Sequence, residues 1–217
     1  NLIKMKKLIL PILFLLCIST AYSQWITNFD GAEGDVNFAS AKGNSITTDA
    51  SGNSYVTGYS YEGTNGNDIV TMKYNSIGEI VWAVNFNGTA SVDDEGTGIC
   101  VDAYGNVYVV GTTKSTLKSF DLTLLKYDSS GTKLWDKQYS STEAYKEDRG
   151  LGIVVDLDCN IYVTGFTTYS DHTEIVTQKY DTAGFEIWTA FQDGTATHNG
   201  LEGKGSCITV SASGNVF

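Results

Sequence analysis

Asp102-Ala103-Tyr104-Gly105-Asn106-Val107-Tyr108-Val109-Val110-Gly111 is the stretch that decides the fold. An Asp that can bond the backbone two residues on, with a Gly three positions later that accepts φ > 0, is a tight turn. The Val- and Tyr-rich run behind it is a strand. The stretch has copies. Asp49-Ala50-Ser51-Gly52-Asn53 leads into Tyr55-Val56-Thr57-Gly58, and Asp156-Leu157-Asp158-Cys159-Asn160 into Tyr162-Val163-Thr164-Gly165. Ser211-Ala212-Ser213-Gly214-Asn215 begins a further copy that stops at Val216-Phe217. Lys73-Tyr74, Lys126-Tyr127 and Lys179-Tyr180 recur at 53 residues, as do Trp82, Trp135 and Trp188, with Trp25 57 residues before Trp82. Self-similarity at a fixed period is the signature of a repeat architecture.

Working outward, each unit reads as four short strands. In the second copy they are Gly98 to Asp102, Asn106 to Thr112, Asp121 to Tyr127 and Thr132 to Tyr139, the last carrying Trp135. A second set of turns, Asn75-Ser76-Ile77-Gly78, Asp128-Ser129-Ser130-Gly131 and Asp181-Thr182-Ala183-Gly184, follows the same logic. Gly52, Gly105, Gly131 and Gly184 are therefore structural. Cys159 takes the Gly position in one copy, which predicts a strained turn costing on the order of 1 kcal/mol. No segment shows a capped helical period.

Four-stranded antiparallel units at this period predict an all-β fold, a β-propeller built of blades. The repeat units run 25–81, 82–134, 135–187 and 188–217, the last truncated, about 3.7 in all. Closed propellers have 4–8 blades, so an incomplete open arc is expected, with the strand Trp25 to Phe29 lacking its inner partners. The stretch Asp-x-x-Gly-Asn-x-Tyr-Val-x-Gly, then Lys-Tyr-Asp-x-x-Gly, then Trp resembles the SBBP-type β-propeller repeat, named for bacterial seven-bladed propeller-like proteins. The resemblance covers about Trp25 to Phe217 and implies an exported bacterial repeat protein, with no one activity. Asp128-x-x-Gly131-x-x-x-Trp135 is similar, with Gly one residue early, to the tryptophan-docking motif of quinoprotein propellers. It points to a packing role for Trp82, Trp135 and Trp188 between blades rather than to a quinone cofactor or a sugar platform.

Composition narrows the class. The chain has 217 residues, 41% of them hydrophobic, enough for a packed core. Its net charge of −11 repels phosphate backbones, so nucleic acid is not an expected partner. Residues 1–4 precede a start at Met5. Residues 5–23 have the layout of a secretory signal peptide: Lys6-Lys7, an apolar run from Leu8 to Ile18 too short to span a bilayer, and small residues before Gln24. Leu16 before Cys17 is too bulky for lipoprotein processing. Cleavage removes Lys4, Lys6 and Lys7 and no acid, taking 14 basic residues to 11 against 25 acids, a net −14. Export would place the mature chain, which has no transmembrane segment, in the medium or at the cell surface. Cys100, Cys159 and Cys207 match no zinc spacing and are read as small core or turn residues, with one disulfide between two of them as the alternative.

The loops sort by face. One end of the blades carries the tight turns. The other carries longer loops that differ between copies, and binding belongs on such loops. They present Tyr59, Tyr61 and Asn65; Asp93, Asp94 and Glu95; Tyr145, Glu147 and Asp148; Tyr169, Asp171 and His172; and His198 and Glu202. Asp93, Asp94 and Glu95 are the weak candidates for calcium, which prefers several carboxylate and carbonyl oxygens; no other metal, cofactor or catalytic residue is assigned. Asp156-Leu157-Asp158 resembles the start of a calcium loop, but Ile161 and Thr167 fall where Gly and Glu belong. Lys73, Lys126 and Lys179 each call for a carboxylate partner, with Asp49, Asp102 and Asp156 the nearest in register. The leading expectation is a non-enzymatic exported scaffold binding protein or carbohydrate at the cell surface. The alternatives are a secreted propeller glycoside hydrolase or lyase using the loop carboxylates, and a purely structural segment of a large adhesin-like protein.

Overall fold

The computed structural model describes residues 41–61, 66–90, 92–114, 120–141, 147–169, 172–192 and 203–217. The leader, the Trp25 strand, Asn65, Tyr145, Asp171, His198 and Glu202 lie outside the described residues. Twelve strands form three four-stranded antiparallel sheets, each in simple sequential order. The first holds β1 (Ala41–Thr48), β2 (Ser54–Tyr61), β3 (Asn67–Tyr74) and β4 (Ile80–Phe86). The second holds β5 (Glu95–Val101), β6 (Val107–Lys114), β7 (Phe120–Tyr127) and β8 (Lys133–Tyr139). The third holds β9 (Asp148–Val155), β10 (Ile161–Thr168), β11 (Thr173–Tyr180) and β12 (Glu186–Gln192). Residues 203–217 add the beginning of a fourth, with a Val210–Val216 bridge. This is an open arc of propeller blades, with no helix among the described residues.

The first strands line up, β1 against β5 and β5 against β9, so they are the inner strands and β4, β8 and β12 the outer ones. Burial peaks in the middle strands. Every residue of β6 from Val107 to Thr113 is buried, whereas the inner β5 is only partly buried and β8 has no buried position. A strand covered on both faces reads as a nearly continuous apolar run, as Val107 to Val110 does.

The hydrophobic cores lie between sheets. Tyr55 and Ile69 of the first blade pack with Ile99, Val107, Val109, Leu125 and Tyr127 of the second. Tyr108, Val110, Leu122 and Leu124 of the second pack with Ile161, Val163, Val176 and Tyr180 of the third. The sheets approach closely enough that a Cβ on Gly96 would lie 2.2 Å from Thr57 Oγ1 and one on Gly150 2.3 Å from Val110 Cγ2. Glycine in those inner strands is what lets the blades meet.

Trp82 and Trp135 seal the first two junctions from the outer edge. Trp82 lies over the turn of the next blade and donates its indole N–H to Ser129 O at 3.2 Å. A Cβ on Gly131, where φ is 86°, would sit 2.8 Å from Trp82 Cδ2. Gly184 bears the same relation to Trp135. Trp188 is 36% exposed and packs on Tyr162 of its own blade, ring centroids 6.3 Å apart. Cys159 adopts φ 61°, the only non-glycine among the described residues at positive φ. Cys100, Cys159 and Cys207 are all free thiols; Cys207 is exposed, so the core-or-turn reading fits the other two and not it.

Gly131→Ala is expected to destabilise the chain by about 2–3 kcal/mol, combining a left-handed penalty with a clash against an indole that cannot retreat. Gly105→Ala, at the same φ but facing only Ser129, should cost about 1 kcal/mol. Urea unfolding of both measures the difference; equal losses would show that the tryptophan contact adds nothing.

Candidate functional site

Two acids of the variable-loop face turn inward. Asp94 is 1% exposed and Asp148 0%. Asp94 Oδ2 accepts the Gly88 N–H at 2.5 Å and Oδ1 the Lys114 N–H at 3.0 Å. Asp148 Oδ2 accepts the Ser141 N–H at 2.6 Å, and Oδ1 the Thr167 hydroxyl. Each carboxylate thus ties the segment leaving one blade to the second strand of the next blade. Burial raises the Asp94 pKa; the Gly88 and Lys114 N–H groups oppose it and the neighbouring Asp93 adds to it. Burial likewise raises Asp121, with the nearby Asp148 adding to it.

The three calcium candidates diverge. Asp93 Oδ1 accepts the Asn67 N–H at 3.2 Å, Asp94 is committed as above, and Glu95 Oε1 accepts from Asn44 Nδ2 at 2.9 Å. Among the described residues no group of three or more His, Cys, Asp or Glu is placed to hold a metal ion. Glu147 accepts from Arg149 Nε at 3.1 Å. Tyr169 and His172 stack on each other, ring centroids 4.9 Å apart, and His172 Nε2 lies 3.0 Å from Glu174 Oε1. Tyr59 and Tyr61 are half-buried at the end of β2. Among the described residues these candidates are not gathered into one site.

A recurrent concavity lies on the opposite, tight-turn face. A cleft of about 470 Å³ between the first two blades is lined by Asp49, Ser51, Asn53, Tyr55 and Lys73 on one side and Asp102 to Gly105 on the other. Another, of about 490 Å³, is lined by Asp156, Asp158, Asn160, Tyr162 and Lys179 and by Ser211 to Gly214. The positions correspond copy for copy. The sequence reading put binding on the other face because these turns repeat, and repetition reads as structure.

The lysines correct one expectation. Among the described residues none of Lys73, Lys126 and Lys179 forms an ion pair with a carboxylate. Their ammonium groups lie over the rings of Tyr55, Tyr108 and Tyr162, at 5.2, 5.0 and 5.0 Å. The aspartates are already committed. Asp49 accepts the Ser51 and Asn53 N–H groups, the Asn53 amide and the Tyr55 hydroxyl at 2.7–3.0 Å, which fills a carboxylate's four acceptor positions. Asp102 and Asp156 repeat the pattern through Tyr108 and Tyr162. The tyrosine stands between acid and base.

For Asp102, burial pushes the pKa up, but bonds from the Asn106 side chain and backbone, Tyr108 and Tyr104 together carry it below the ordinary range. Asp49 and Asp156 shift the same way, against burial that would raise them. A carboxylate lowered in the folded state adds stability that is full above the unfolded pKa and lost as pH falls through the folded one. Asp94 and Asp121, which are raised, act oppositely: ionisation costs them stability, relieved as pH falls through their folded pKa.

The comparisons with known proteins follow this architecture. The family model described as SBBP, beta-propeller repeat, matches residues 34–69 and 88–117, so the chain carries SBBP β-propeller repeats. No curated protein matches the chain. Among solved structures it is similar to a protein of unknown function from Bacteroides caccae, with 12% identity and a TM-score of 0.48 over 81% of this chain and 52% of that one. It is also similar to a fucose lectin from Kordia zhangzhouensis in complex with methyl-fucoside, with 14% identity and a TM-score of 0.40 over 70% of this chain and 98% of that one. The chain spans about half the length of the Bacteroides protein.

Two outcomes test these electrostatics. Asp148→Asn places an amide N–H or a weaker acceptor against buried donors and should cost about 2–3 kcal/mol in urea unfolding; a loss within about 0.5 kcal/mol would show that the staple is dispensable. Acidification below about pH 4 should lower the unfolding midpoint. Asp102→Asn should flatten that acid limb, and an unchanged limb would remove Asp102 from the account.

Proposed function

We propose that the chain is an exported, non-enzymatic β-propeller scaffold that binds carbohydrate or protein at the cell surface. The observation that supports this most is the same solvent-open polar cleft recurring at two blade junctions. Its walls are strand ends and tight turns, so the site is largely pre-formed and ordering it costs little on binding. A hydrolase needs two carboxyl groups facing one glycosidic bond, about 5–9 Å apart. Asp94 and Asp148 instead face their own backbone and hydroxyl donors inside the protein. Asp49, Asp102 and Asp156 of the tight turns are filled in the same way. The chain's chemistry is that of holding a ligand without transforming it.

Expression from Met5 in a Gram-negative host should yield an exported protein whose N-terminus, read by mass spectrometry, is Gln24; a retained leader would overturn the export reading. The purified chain, presented with a panel of oligosaccharides and of isolated surface proteins, should retain at least one class saturably and release it at unchanged mass. Shortened products would overturn the non-enzymatic reading. Retention of neither class would leave the chain a structural segment.

A further inference from the structure

The junctions between blades are alike in register and unlike in what fills them. At the middle one, between the second and third blades, Cys159 replaces the turn glycine. Cys159 is 8% exposed, with Asp102 and Lys126 among its neighbours. The Lys126 ammonium is drawn away from solvent and donates to Thr182 O at 2.9 Å. At the first junction the corresponding carbonyl, Ser129 O, accepts the Trp82 indole instead. Lys73 therefore keeps its donors in the open cleft. The turn position facing it is Gly105, and the neighbouring Tyr104 is 79% exposed at the lip.

The chemistry of the open first cleft selects a ligand class. Its aspartates, Asp49 and Asp102, already accept four protein hydrogen bonds each, so they repel an anion without offering a strong acceptor to a cation. What remains is an ammonium donor, turn side chains such as Ser51 and Asn53, and, at the first cleft, an aromatic ring. A neutral polyhydroxylated ring meets this: its oxygens accept from the ammonium, and its C–H face covers Tyr104. We infer that the first junction is a neutral-pyranose site, and that Cys159 closes the equivalent site at the second. The inference rests on the binding-scaffold reading and names its ligand.

The test is a ¹⁵N–¹H spectrum of the chain titrated with neutral methyl pyranosides of the gluco, galacto, manno and N-acetylglucosamine series. At least one should shift amides around Lys73 and Gly105 and leave those around Lys126 in place. Lys73→Met keeps the aliphatic stem on Tyr55 and should weaken the site roughly tenfold. Cys159→Gly should add a second set of shifts around Lys126. Shifts confined to other surfaces, or binding insensitive to Lys73→Met, would overturn the inference and leave the scaffold reading standing. No shift with any pyranoside would overturn it as well. Saturable binding without a new site in Cys159→Gly would remove the role given to Cys159.

Discussion

The contact on which this molecule depends is the face-to-face packing of one four-stranded sheet on the next. A single blade has no inside: its strands carry apolar side chains on both faces, and both must be covered by neighbours. Tyr55, Tyr108 and Tyr162 sit at equivalent positions of successive blades; Tyr55 and Tyr108 are wholly buried in the clusters between sheets, and Tyr162 is 2% exposed. Stability is then close to a sum of junction terms, as in other repeat proteins. Glycines at 96 and 150 set how near the sheets come, the tryptophans set the outer edge, and the buried aspartates 94 and 148 fix the variable-loop end. Each device acts across a junction rather than within a blade.

Most of the fold was legible because turn chemistry and hydrophobic pattern agree at every repeat. Strand limits in the second copy fall within about three residues of the sequence reading. The Asp-x-x-Gly turns form with the expected side-chain bonds, and Cys159 is held at the positive φ that its place in the alignment of copies requires. The lysine pairing was not legible. Sequence spacing brought each lysine to the same strand end as an aspartate, but spacing does not count lone pairs. The turn and the tyrosine had already used them, and the ammonium settled over the ring that separates the two.

The two faces differ in how they can be read. Acidic residues in loops of varied length look like recognition elements, and Asp93, Asp94 and Glu95 share that appearance. The structure separates them into an exposed acid, a buried inter-blade tie and a partner for Asn44 of the preceding inner strand. Burial distinguishes them, and burial depends on which segment of the neighbouring blade crosses above. That information lies in the approach of two sheets and not in either loop. The tight-turn face reads the other way. Its residues repeat because every blade needs the turn, so the clefts between turns are invisible until consecutive blades are set side by side.

Identical architecture at each junction does not enforce identical chemistry. One backbone carbonyl in each outer turn can accept a hydrogen bond from the tryptophan or from the lysine of the preceding blade. Where Trp82 takes Ser129 O, Lys73 stays with Tyr55 and the solvent; where Lys126 takes Thr182 O, the ammonium is withdrawn. Cys159 reinforces the second outcome by occupying the space beside Lys126 and Asp102. Replacing a glycine by a small buried thiol costs on the order of 1 kcal/mol of backbone strain, and the thiol's burial offsets part of it. A repeat scaffold can therefore open or close its clefts one at a time. The change that does so lies in a turn, leaves the packed strands untouched, and needs no alteration of the inter-blade core that holds the arc together.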